Sequence, residues 1–63
     1  MLATRIRKLR EAKGMSQSDL AGKVGVTQAY IASLESGARK NPSLDIIRKL
    51  AKVLKTDVAN LLN

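Results

Sequence analysis

The chain has 63 residues, with twelve Lys and Arg against five Asp and Glu and a formal net charge of +7 at pH 7. It contains no cysteine and no histidine, which excludes disulfides and thiolate or imidazole metal sites. The length predicts one domain over residues 1–63, stabilised by packed aliphatic side chains. Apolar runs are too short to span a bilayer and no secretory segment is recognisable, so we expect a cytoplasmic protein.

The first predicted helix runs from Leu2 to about Lys13, because apolar residues recur in it at helical spacing. Gly14 follows as a left-handed cap. Ser16 is then predicted as the N-cap of the second helix, with Asp19 three residues later to complete a capping box.

The third predicted helix repeats this capping logic. Thr27 is its N-cap, its body spans Gln28 to Glu35, and Gly37 ends it. Gly25 lies between the second and third helices, where a sharp turn needs a positive φ that glycine adopts without a steric penalty.

Two further helices are predicted after the break at Asn41-Pro42. Ser43 caps the fourth helix and Asp57 caps a short fifth helix. The predicted buried face of the fourth helix comprises Leu44, Ile47, Leu50, Ala51 and Leu54, and the fifth helix carries Val58, Leu61 and Leu62. No strand pattern or repeat is present, so the predicted fold class is all-α, a compact five-helix bundle.

The second and third helices form the most informative pair. Their apolar residues bury one side of each helix against the other and leave the outer face of the third helix free. That outer face carries Thr27, Gln28, Ala29, Ser33 and part of Tyr30. These short, mostly polar side chains can reach base edges, so the pair is typical of a helix-turn-helix whose second helix reads DNA.

Positive charge flanks this reading helix rather than lying on it. The first helix supplies Arg5, Arg7, Lys8, Arg10 and Lys13, the loop after the motif supplies Arg39 and Lys40, and the fourth helix supplies Arg48, Lys49, Lys52 and Lys55. This distribution of charge is expected if some segments attract the phosphate backbone of DNA and a different segment reads the bases. A solvated basic surface is the alternative.

The motif residues resemble the Cro/C1-type (XRE-like, lambda-repressor-like) helix-turn-helix DNA-binding domain of phage and bacterial regulators. The matching positions are Gln17, Leu20, Ala21, Val24, Gly25, Val26, Thr27, Gln28, Ile31, Leu34, Glu35 and Gly37. The segments NPSLDIIRKLAKVL and DVANLL are similar to the fourth and fifth helices of that family.

The resemblance implies a set of site residues. The implied base-reading residues are Gln28, Ala29 and Ser33, with Gln28 at the position that commonly reads adenine. The implied contacts to the DNA backbone are Gln17, Thr27, Tyr30, Arg39 and Lys40. Arg10 and Glu35 would form a largely buried ion pair between the first and third helices, although Arg10 read alone fits a surface cation. Tyr30 fits either contact with DNA or packing against the domain.

The resemblance also implies double-stranded DNA as partner, and a repressor that binds a palindromic operator as a weak homodimer. The fifth helix, with Val58, Leu61 and Leu62, would supply the dimer contact as well as close the core. No cofactor, metal, membrane or small-molecule substrate is implied, and we expect association with the nucleoid.

Two other functions are compatible with parts of the sequence. The same fold can serve as an antitoxin-like or partner-binding module, which would use its apolar C-terminal helix on another protein. A cationic amphipathic membrane peptide is compatible with the charge, although the predicted caps and closed core argue against it. An enzyme is not expected, because the chain assembles no general base or nucleophile.

Overall fold

The computed structural model describes residues 2–62 of the chain, so Met1 and Asn63 lie outside the described residues. The five predicted helices are confirmed: α1 Leu2–Ala12, α2 Gln17–Val24, α3 Gln28–Ser36, α4 Leu44–Val53 and α5 Val58–Leu62. Between residues 2 and 62 no strand occurs. Nor does that part of the chain hold a helix with the length and apolar character needed to cross a membrane.

One aliphatic core holds the five helices together. α2 packs against α3 and α4, while α1 packs against α3 and α5. The fully buried side chains are Ile6, Leu20, Ile31, Leu34, Leu50, Leu54 and Leu61. Since α3 presents its inner face to α1 and α2, its outer face remains free for a ligand.

The predicted N-caps are confirmed by their hydrogen bonds. Ser16 Oγ accepts from the Asp19 backbone N–H at 2.9 Å, and the Asp19 carboxylate accepts from the Ser16 backbone N–H at 3.0 Å. The side chains of Thr27, Ser43 and Asp57 each accept a hydrogen bond from the backbone N–H three residues later. These caps satisfy helix N–H groups that have no partner within the helix.

The turn between α2 and α3 depends on Gly25, as the sequence predicted. Its φ is 87°, and its N–H donates to the carbonyl of Ala21 at 2.8 Å. A side chain at this position would meet no neighbouring atom within 4 Å. The left-handed backbone, rather than lack of space, is therefore what favours glycine here.

The prediction that Leu44 belongs to the buried face of α4 is wrong, because 54% of this residue is exposed. Leu44 has the same helical phase as Ile47, but it occupies the first turn of α4, where the core has not yet begun. Leu62 at the end of α5 is 53% exposed, whereas Leu61 is fully buried. Leu61 therefore belongs to the core, and the predicted dimer contact narrows to Val58 and Leu62.

The end of α4 contains a backbone feature that the sequence did not predict. Lys55 has a φ of 56°, the one positive φ at a residue other than glycine in the described range 2–62. The Thr56 N–H donates to the carbonyl of Ala51 at 2.9 Å, which closes the helix in a Schellman-type turn. Most helices place glycine at the left-handed position of such a turn.

We predict that Lys55→Gly stabilises the domain. Glycine removes the strain of the left-handed backbone in the folded state, but it also raises the conformational entropy of the unfolded chain. Because the first free-energy term is the larger, the free energy of unfolding should rise by about 0.5 to 1 kcal/mol. Arg48→Gly in the middle of α4 is the control and should lower it by about 1 kcal/mol. Urea unfolding followed by circular dichroism measures both changes, and a destabilising Lys55→Gly would contradict the argument.

Candidate nucleic-acid interface

The outer face of α3 presents the three predicted base-reading residues to solvent to different degrees. Gln28 and Ala29 are exposed, while Ser33 is half-buried. The Ser33 hydroxyl donates to the carbonyl of Tyr30 at 2.6 Å. With its proton committed to the helix, Ser33 can only accept a hydrogen bond from a base. Ala29 and Ser33 lie one turn apart on the same face, beside Gln28.

The Gln28 side chain is joined to a second glutamine. Gln28 Nε2 lies 3.5 Å from Gln17 Oε1, and Gln17 Nε2 donates to Glu35 Oε1 at 3.2 Å. Because a carboxylate only accepts, Gln17 must turn its NH₂ group toward Glu35. The carbonyl oxygen of Gln17 then faces Gln28 and accepts a hydrogen bond from the NH₂ group of the Gln28 amide. The order of donors and acceptors is thus set by the charge of Glu35.

Glu35 is held in turn by the predicted ion pair with Arg10. Arg10 Nε donates to Glu35 Oε2 at 2.7 Å, and Arg10 Nη2 donates to Glu35 Oε1 at 3.0 Å. The side chains are 11% and 3% exposed, respectively. Arg10 also donates to the carbonyl of Met15 at 2.7 Å. The pair therefore fixes α3 against α1 and the segment before α2.

Two opposing effects act on the pKa of Glu35. Burial raises this pKa, while the hydrogen bonds from Arg10 and Gln17 and the charge of Arg10 lower it, and the net result lies below the usual value. The hydrogen bond with Glu35 likewise raises the pKa of Arg10. Both groups are therefore charged at neutral pH, and the carboxylate keeps its acceptor role toward Gln17.

The loop after α3 is attached to that helix at Tyr30 and Ser33. The Arg39 guanidinium lies over the Tyr30 ring, 4.7 Å from its centroid, and the Arg39 N–H donates to the carbonyl of Ser33 at 3.0 Å. Stacking occupies the face of the guanidinium and leaves its N–H edge available for a phosphate. Tyr30 itself is half-buried and packs against the core, and its ring positions Arg39. Its contact with the DNA backbone stays a prediction.

The remaining predicted backbone contacts are Thr27 and Lys40, both exposed. Thr27 Oγ1 accepts from the Tyr30 N–H at 3.1 Å, which leaves its hydroxyl proton for a phosphate oxygen. The N-terminus of α3 adds a partial positive charge at the same place. Lys40 lies beside Arg39 at the edge of a shallow apolar cavity of about 270 Å³.

Arg7 and Ser36 lie beside the predicted DNA-contacting residues, although the sequence did not predict either of them as a contact. Both line a shallow groove of about 460 Å³ that also contains Gln17 and Glu35. Arg7 is exposed and places a guanidinium beside the N-terminus of α2. The available sequence signal was the spacing of Arg7 and Arg10, which puts both on one side of α1.

These features define a helix-turn-helix domain with an exposed recognition helix and flanking cations, the architecture of DNA-binding transcription regulators. A helix-turn-helix family model matches residues 6–61. The chain belongs to this helix-turn-helix family.

Individual relatives agree with the family assignment. The transcriptional regulator SinR of Bacillus licheniformis is 41% identical over 63 residues, covering 100% of this chain and 57% of SinR. A crystal structure of the biofilm regulator SinR in complex with DNA has a TM-score of 0.94 and 40% identity and covers 100% of both chains. The crystal structure of the restriction-modification controller protein C.AhdI of Aeromonas hydrophila has a TM-score of 0.88 and 42% identity. The match covers 95% of this chain and 89% of C.AhdI. The chain thus spans a little over half the length of the SinR relative.

The ion pair generates a stability prediction. Arg10→Met leaves the Glu35 carboxylate buried without its cation and should lower the free energy of unfolding by about 3 kcal/mol. Arg7→Met, which removes an exposed arginine from the same helix, is the matched control and should change it far less. Thermal unfolding followed by circular dichroism compares the two variants, and equal melting temperatures would contradict the assignment.

A lower pH should reduce the difference in stability between wild type and Arg10→Met. The contribution of Glu35 to stability is complete above its unfolded pKa of about 4.5 and is lost as the pH falls through its lower folded pKa. The stability gap between wild type and Arg10→Met should therefore shrink as the pH falls below 4.5. A gap that is constant from pH 7 to pH 3 would show that Glu35 does not carry the effect.

Proposed function

We propose that this domain binds double-stranded DNA in a sequence-specific manner and represses transcription at the site it occupies. One observation carries the proposal: the exposed amide of Gln28 is connected through Gln17 and Glu35 to the core. A solvated surface glutamine would have no such support. The existence of a SinR complex with DNA supports the same function.

In the proposed complex α3 enters the major groove and Gln28 reads adenine. Gln17 receives one N–H of the Gln28 amide, so the carbonyl oxygen and the second N–H remain for the base. An amide in this orientation accepts from adenine N6 and donates to N7. Ala29 would contact a thymine methyl, and Ser33 would accept from an exocyclic amino group.

The backbone contacts fall on both sides of the reading helix. Gln17 and Thr27 offer N–H and O–H donors at helix N-termini, and Arg39 and Lys40 offer cations in the loop after α3. If about six phosphates are neutralised, the logarithm of the binding constant should fall with log salt at a slope of about −5. These contacts set the register of α3 in the groove without selecting a sequence.

Two copies are proposed to bind a palindromic operator, with half-site centres about 34 Å apart. Leu62 is exposed and Val58 is half-buried beside it on α5, so each copy can cover an apolar patch on the other. The patch is small, which makes the free dimer weak. Occupancy of an operator suffices to block polymerase, so we propose repression, at the nucleoid in the cytoplasm.

The base-reading role of Gln28 is tested by selecting bound sites from a random duplex library at about 150 mM salt. Wild type should enrich a palindrome, and Gln28→Ala should lose the preference at one base pair per half-site, with affinity for the wild-type operator reduced about 10- to 100-fold. Thr4→Ala, a small change at an exposed position of α1, is the control and should keep the motif. Uniform binding with no enriched motif would refute specific recognition.

The backbone role of the loop is tested by its salt dependence. Arg39→Gln/Lys40→Gln should weaken binding to operator and random DNA alike and make the log–log salt slope shallower by about 2. The double variant Arg48→Gln/Lys49→Gln removes the same charge from α4 and should leave the slope nearly unchanged. Fluorescence anisotropy at four or more salt concentrations gives the slopes, and similar slopes for both double variants would refute the assignment.

The dimer proposal is tested by Leu62→Asp, which places a carboxylate in the proposed contact. Binding to a full palindrome should lose its cooperativity, while affinity for an isolated half-site should stay within about twofold. Leu44→Asp alters the other exposed leucine and serves as the control. Unchanged cooperativity in Leu62→Asp would move the contact away from α5.

A further inference from the structure

A second concave surface shares no lining residue with the proposed DNA-binding face. It has a volume of about 630 Å³ and is lined by Lys13, Met15, Lys23, Val53 and Lys55. These residues come from the turn after α1, the segment before α2, the last turn of α2 and the end of α4. We name it the three-lysine groove. Because α4 packs against α2, the groove lies at the junction of these two helices.

The chemistry of the groove combines cations with an apolar floor. Lys13, Lys23 and Lys55 are exposed, whereas Met15 and Val53 are half-buried and pack against the core. No carboxylate lines the groove among residues 2–62. The nearest acid along α2 is Asp19, one turn before Lys23. Its carboxylate accepts the Ser16 backbone N–H at 3.0 Å, and the charge of Lys23 adds to the effects that lower its pKa.

The conformation of Lys55 is a second, independent observation. Its left-handed φ of 56° is one that glycine adopts without strain. Lysine at this position lowers the stability of the α4 terminus and places a third ammonium group at the edge of the groove. Strained residues of this kind concentrate at functional sites, where the side chain has a use beyond folding.

We propose that the three-lysine groove binds an acidic segment of another protein, in which carboxylates flank one apolar side chain. The apolar side chain would cover Met15 and Val53, and the carboxylates would pair with the three ammonium groups. A nucleic-acid backbone would satisfy the lysines but has no apolar group for the floor. Since the groove and the α3 face are separate, the domain can hold DNA and this partner at the same time.

The experiment is a random-peptide display selection against the full chain, held by a C-terminal tag. Peptides with Asp or Glu on both sides of an apolar residue should be enriched. For a synthetic peptide of that consensus, Lys13→Gln/Lys23→Gln/Lys55→Gln should weaken binding about tenfold, since exposed charge pairs contribute modestly. Lys8→Gln/Arg48→Gln/Lys49→Gln lowers the net charge equally and should stay within about twofold of wild type. Circular dichroism checks that both triple variants are folded.

Three results would overturn the proposal: no enrichment of acidic peptides, equal weakening by both triple variants, or displacement of the peptide by the operator duplex. Val53→Thr keeps the shape of the floor and makes it polar, so it should weaken the peptide while leaving operator affinity unchanged. Peptide binding is measured without DNA, so failure of the operator selection would not affect it. If random duplex DNA also displaces the peptide, that third result assigns the groove to nucleic acid of any sequence.

Discussion

The buried ion pair between Arg10 and Glu35 is the interaction on which the rest of the site depends. Its two hydrogen bonds, together with the bond from Arg10 to the Met15 carbonyl, fix the positions of α1, α2 and α3 relative to one another. An apolar contact of the same size would hold the helices together without fixing their rotation. The ion pair also retains a charged acceptor near the surface, and Gln17 orients its amide on that acceptor.

The sequence predicted the local features of the fold well, because their causes lie within a few residues. Ser16 and Asp19 form a capping box through bonds that span only three positions, and Gly25 adopts the positive φ that the turn requires. The alternation of apolar and polar residues likewise identified the inner and outer faces of α3. Resemblance to a known family added the pairing of Arg10 with Glu35, which no periodicity indicates.

What the sequence did not predict depends on where whole elements begin and end in space. Leu44 has the phase of a core residue, but periodicity gives the side of a helix and not how far its neighbours extend along it. The contact between Gln17 and Glu35 joins residues eighteen positions apart, so only the docking of α2 on α3 creates it. The strain at Lys55 was hidden because lysine is common near helix C-termini, where its charge is favourable.

The small side chains on α3 give the recognition surface room to change. Ala29 is exposed and contributes nothing to the core. The Gln28 side chain is held by its hydrogen bond to Gln17, which is bonded in turn to Glu35. In the proposed complex, a larger residue at position 29 would therefore add a base contact without repacking the domain. Single substitutions on an unchanged scaffold would then change the preferred DNA sequence, which would make this domain a suitable starting point for the evolution of regulators with altered specificity.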